Sequence, residues 1–257
     1  MSVTSNNTSG ISGFRADFIL RVDLSAACRR DTRPRFKFPE NIGSRFRSDI
    51  LERLQSQLPD QSKISMPWWL IIDTHLLNKA LYDIRVAIEF TKYKAARNER
   101  WKNVKFLTYW IDPILHTLVG NSFPVTDAWG VMQEATRLGL ILFLCKLRQI
   151  SGQLGVETKL FVTKLKMLLL HGGLEVYLKS LEPMLLWTVV VGLLESWNKP
   201  EWLWYVEMTV ILALELNLST WDAVVATVKE VFWIEVVFDD ELERCRERFE
   251  SVLLVMS

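Results

Sequence analysis

From residue 44 to the C-terminus, apolar positions recur at intervals of three and four, and two-residue alternation flanked by hairpin turns is not found anywhere. Phe46, Ile50, Leu51, Leu54 and Leu58 share one helical face, with Arg47, Glu52, Arg53 and Gln57 opposite, and Pro59 stops the run. A second helix from about Asp73 turns Leu76, Leu77, Ala80, Leu81, Ile84, Ala87 and Ile88 inward and frays into the charged residues 92–100. A third, over residues 101–119, presents Val104, Leu107, Trp110, Ile111, Ile114, Leu115 and Leu118, with Pro113 a kink or restart. Thr126-Asp127 starts the next, whose C-terminal half is nearly all apolar, so it should lie at the centre.

Residues 157–170 form a further helix closed by Gly172-Gly173. Pro183 and Pro200 each suit the first turn of a helix, where a missing N–H costs nothing. Ser219-Thr220-Trp221-Asp222 reads as a capping arrangement with Ser219 as the acceptor and a helix running on to Ile234. Ile234-Glu235-Val236-Val237-Phe238 reads as a short extended connector. Asp239-Asp240-Glu241 then heads a last amphipathic helix, its acids set against the positive end of the helix dipole. No fixed repeat period appears. The pattern predicts an all-α protein, an irregular multi-helix domain of antiparallel helices over residues 44–257, preceded by a disordered basic arm over residues 1–43.

Composition agrees: 257 residues, 49% hydrophobic and 24% charged, suffice for one sizeable core. Thirty-one Lys and Arg against 30 Asp and Glu give no overall field for nucleic acid or an anionic membrane. Charge is local instead. Between Arg15 and Arg47, nine basic residues face four acidic ones, with Arg29, Arg30, Arg33, Arg35 and Lys37 clustered as a candidate nuclear-targeting segment. The polar N-terminus does not resemble a secretory signal, and the apolar run from Pro183 to Leu194 is shorter than the about 20 residues a bilayer needs. The expectation is a soluble intracellular chain without membrane contact. Cys28, Cys145 and Cys245 are too far apart to form a ligand pair or a disulfide framework, and Cys145 should be a buried hydrophobe.

Catalytic candidates are few. His75, His116 and His171 stand on different predicted elements, and phosphate-loop, dinucleotide and nucleophile-elbow motifs are absent from the sequence. Asp239-Asp240-Glu241-Leu242-Glu243 is similar to the acid-rich, magnesium-holding motif of all-α terpenoid synthases, but a second metal motif is not found, and an acidic first turn accounts for the residues equally well. Six of eleven tryptophans fall in the last third, where Trp187, Trp204, Trp221 and Trp233 are either core or the lining of a hydrophobic pocket. No cofactor and no catalytic role are expected. The alternative is a helical small-ligand-binding protein or a terpenoid-synthase-like enzyme.

The order Glu134-Ala135-Thr136-Arg137-Leu138-Gly139-Leu140, Glu182-Pro183-Met184-Leu185-Leu186-Trp187, Ser219-Thr220-Trp221-Asp222 and Val228-Lys229-Glu230-Val231-Phe232-Trp233 resembles the C-terminal helical region of fungal-specific transcription factors. That family joins such a region to a zinc binuclear cluster of six cysteines, whereas here Cys28 stands alone in the N-terminal region. The resemblance implies a regulatory region in the nucleus without sequence-specific DNA binding of its own. Its partners would be transcription factors or the transcription machinery, with a homodimer as an alternative.

Overall fold

The computed structural model describes residues 8–39, 43–57, 75–99, 104–151, 157–171 and 182–256, and every regular element among them is helical. In chain order these are α1 (Thr8–Arg30), α2 (Ser44–Gln57), α3 (His75–Ala96), the single turn α4 (Val104–Phe106), a π-helical segment (Leu107–Ile111) and α5 (Asp112–Val119). They continue with α6 (Ala128–Ile150), α7 (Lys159–His171), α8 (Glu182–Glu195), α9 (Trp202–Glu215), α10 (Trp221–Val231), α11 (Glu235–Glu243) and α12 (Arg246–Met256). The all-α class read from the periodicity is what the chain adopts. The glycine pair 172–173 and the stop at Pro59 lie outside the described residues.

α6 is the axis of the molecule. Its N-terminus is capped as the sequence implies, Asp127 accepting the Gly130 amide at 2.7 Å. From Val131 to Cys145 all its side chains are buried, because α7 and α8 cover one side and α5 with the π-helical segment the other. α8, equally apolar, lies between α6, α9 and α10. Trp187 of α8 sits at their junction, its ring 5.7 Å from both Phe143 and Phe232 and its indole N–H donating to the Phe232 carbonyl at 2.7 Å. The one polar atom of the ring thus keeps a hydrogen bond when the ring is buried.

Several helix ends differ from expectation. The cap of α10 is Thr220, whose hydroxyl accepts the Ala223 amide at 3.2 Å, rather than Ser219. Only Ile234 of the supposed extended connector is extended; α11 begins at Glu235. Asp239, Asp240 and Glu241 therefore stand in the second half of α11, and the last helix starts afresh at Arg246. Pro113 falls in the first turn of α5, directly after the π-helical segment, so the predicted irregularity is a wide turn followed by a restart.

The N-terminal region carries a helix as well. α1 occupies Thr8–Arg30 and packs on α5; Leu24, Ala27 and Cys28 are buried in the common core. The Asp31 amide bonds to the Cys28 carbonyl and the Thr32 amide to the Ala27 carbonyl, with Asp31 at φ 46°. This is the reversal that closes helices in a left-handed residue. Residues 18–39 thus belong to the helical body.

Candidate functional site

Arg29, Arg30, Arg33, Arg35 and Lys37 are all exposed, but the chain that carries them is held in place. Beyond Asp31 it folds back along α1. The Phe36 amide donates to the Asp23 carboxylate at 3.0 Å, the Phe36 carbonyl lies 2.8 Å from Nε2 of His116, and the ring of Phe38 meets the His116 ring edge-on at 5.7 Å. Pro34 is buried. Five separate anchors, counting Asp31, Pro34 and these three, fix a short irregular segment whose backbone would otherwise compete for water.

Between that segment and α1 opens a groove of about 530 Å³. Its floor is Phe18, Ile19 and Val22 from α1 and Phe36 from the returning chain, and its edge carries Arg30, Arg33 and Arg35. Phe18 is 58% exposed and Phe36 52%, high values for large apolar side chains on an otherwise well-packed molecule. Contiguous exposed apolar groups with a charged rim characterise docking surfaces more than folding faces. Phe18 and Val22 stand four apart, on one side of α1. That spacing was the signal for the apolar floor; the basic, polar sequence around it hides the pattern.

The four tryptophans behave as core. Trp187, Trp221 and Trp233 are each at most 1% exposed, and Trp204 is partly buried with its ring edge-on to Tyr205 at 4.9 Å and the Lys166 ammonium 5.6 Å from its centroid. They lie on different sides of α8 to α12 and do not line the groove. The rings of Trp187, Trp221 and Trp233 pack against Phe143, Phe232, Phe238 and Phe249, filling the space between helices.

The acids of α11 diverge. Asp239 accepts from Lys229 at 2.9 Å and from the Trp233 indole at 2.7 Å, Glu241 pairs with Lys146 at 2.7 Å, Glu243 pairs with Arg246 at 2.6 Å, and Asp240 is exposed. Side chains committed to three different cations do not converge on one metal ion. Among the described residues no group of three or more His, Cys, Asp or Glu is placed to hold one. Two of the thiols are disfavoured as thiolates by their environment: the adjacent Cys28 and burial push Cys145 well up, and burial pushes Cys245 up to about 12.

No helix among the described residues is long and apolar enough to cross a membrane. Compared with known proteins, the chain matches no family model, no curated protein and no solved structure.

Proposed function

We propose that this chain is a non-enzymatic regulatory protein acting by protein contact, and that the groove beside α1 receives an acidic, apolar-rich helix of its partner. One observation carries the reading: an exposed aromatic and aliphatic floor is bounded by Arg30 at the end of α1 and by Arg33 and Arg35 on the anchored segment that follows. An amphipathic helix offers such a groove residues at i, i+3, i+4 and i+7, and acids flanking them would meet Arg30, Arg33 and Arg35. Arginine suits this task because its weakly hydrated, planar head stacks and forks at once.

The resemblance to the helical region of fungal-specific transcription factors supports a place in the nucleus, with a transcription factor or component of the transcription machinery as partner. Acidic amphipathic segments are the kind of partner such a setting would provide. Arg29 and Lys37, exposed outside the groove, extend the basic face that would serve as the nuclear address.

The test is fluorescence anisotropy with two labelled peptides of identical composition, one an acidic amphipathic helix and one scrambled. The helix should bind at least tenfold more tightly, lose affinity steeply with salt, and lose a further tenfold or more against Arg30→Glu/Arg33→Glu/Arg35→Glu. Equal binding of both peptides, or indifference to the triple reversal in a variant with unchanged circular dichroism, would remove the proposal. A fluorescent fusion carrying alanine at Arg29, Arg30, Arg33, Arg35 and Lys37 should lose nuclear accumulation.

A further inference from the structure

A second cavity, remote from the groove in sequence and lined by other residues, lies where the ends of α6 and α8 meet the turn between α11 and α12. It measures about 260 Å³, below the range of drug-sized ligands. Its wall is unusually ionic. Lys146 comes from α6, Glu195 from the last residue of α8, Lys199 from the turn that follows, Glu241 from α11 and Arg244 from the turn before α12.

Glu195 is the informative residue. It is 8% exposed, yet only one of its carboxylate oxygens is hydrogen-bonded, Oε2 accepting from Thr158 at 2.8 Å. Oε1 makes no hydrogen bond, and the nearest cation, the Lys146 ammonium, stands 3.7 Å away and already donates to Glu241 at 2.7 Å. Lys199 donates to the Thr158 hydroxyl at 3.1 Å and to the backbone carbonyl of Glu195, with no bond to Oε1. A buried carboxylate oxygen without a donor costs free energy, so it should have a partner that arrives from outside.

The surrounding charge says what that partner carries. Three cations and two carboxylates line the cavity, so both signs of charge face it, and Glu195 Oε1 lacks a hydrogen-bond donor. We infer that the cavity binds a small zwitterion, an α-amino acid, with its ammonium on Glu195 Oε1 and its carboxylate toward Arg244 and Lys146. A forked guanidinium at the rim is well suited to a carboxylate, and an ammonium beside a buried acid restores the pairing that burial removed. Burial holds the Glu195 carboxyl above the usual range, against the pull of Lys146 and Thr158. A bound ammonium would reverse that balance. Leu194 and Trp197 supply apolar wall for a side chain.

Isothermal titration of the full chain with the standard L-amino acids should find at least one that binds in the millimolar range or better. Its analogue lacking the amino group and its analogue lacking the carboxylate should each bind at least tenfold more weakly. Glu195→Gln keeps an acceptor for Thr158 but removes the charge, and should lower affinity at least tenfold; Arg244→Ala, at an exposed position, should lower it several-fold without altering the fold. An absence of binding across the panel, equal binding of the deaminated analogue, or unchanged affinity in both variants would overturn the inference. None of these outcomes bears on the peptide groove, which is tested separately.

Discussion

Arg137 grips both carboxylate oxygens of Asp31 at 3.2 Å each, joining the middle of α6 to the residue that ends α1, 106 positions earlier. Its remaining donors go to Glu134 at 2.6 and 2.7 Å and to the Leu118 carbonyl at 3.1 Å, so all five N–H groups of a fully buried guanidinium are used. Asp31 needs this grip, because its φ of 46° is a conformation that a residue with a Cβ adopts at a cost. Arg137→Ala removes the cation shared by Glu134 and Asp31, leaving Asp31 only Lys164 and Glu134 only the Phe123 amide, and should destabilise by about 3–5 kcal/mol, read as a shift in the urea midpoint. Arg137→Lys, with no fork, should recover only part of it. Since Asp31 begins the segment that carries Arg33 and Arg35, peptide affinity should fall in the same variants.

Acidity should act on the buried carboxylates in opposite directions. Asp31 is driven up by burial, but hydrogen bonds from Arg137 and Lys164 outweigh it and hold the carboxyl below its ordinary range. Its contribution to stability is present above the unfolded carboxyl range and is lost as pH falls through the depressed value. Asp112 and Glu195 are raised, chiefly by burial, although Arg148 and Arg21 pull Asp112 down and Lys146 pulls Glu195 down. Their contribution is complete below the unfolded carboxyl range and is lost as pH rises through the folded value. Glu195→Gln should therefore have a higher Tm than the parent at neutral pH, the gap closing as pH falls toward the carboxyl range. A gap that widened on acidification would contradict the raised carboxyl.

Leu24→Ala tests where the folded body begins. A leucine on a free arm can be truncated within about 0.5 kcal/mol, whereas one 1% exposed between α1 and the core should cost about 2–5 kcal/mol. Urea denaturation of the single variant decides between them.

The long apolar helices were legible because their burial is continuous: α6 and α8 announce themselves as runs, and Asp127 and Pro183 mark their starts. α1 was not, because its buried residues are few and its exposed face mixes arginine with the apolar floor of the groove. Helix stops were sought at glycines, but Asp31, Asn98 and Asn217 take positive φ at the ends of α1, α3 and α9. Asn and Asp tolerate that region through local hydrogen bonding, and a single sequence does not separate such a stop from an ordinary polar residue. The ionic cavity was hidden for a different reason: it gathers residues from segments far apart in the chain, and only folding brings them together. The groove draws on residues 18–36 alone, but it exists only once the chain reverses at Asp31.

Gly192 offers the sharpest packing test. It lies inside α8, where alanine is ordinarily better by about 1 kcal/mol. A Cβ there would stand 2.3 Å from Cε1 and 2.8 Å from Cζ of Tyr205 on α9. That ring cannot swing aside freely, because it is fully buried and its hydroxyl donates to the Val162 carbonyl at 2.8 Å, tying α9 to α7 across α8. Gly192→Ala should thus reverse the propensity gain and destabilise by about 1–3 kcal/mol. In the Tyr205→Leu background, which removes both the clash and the hydrogen bond, the same substitution should be neutral or stabilising. Equal effects in the two backgrounds would mean that α8 and α9 are not held at this distance by the glycine, and the close approach would need another cause.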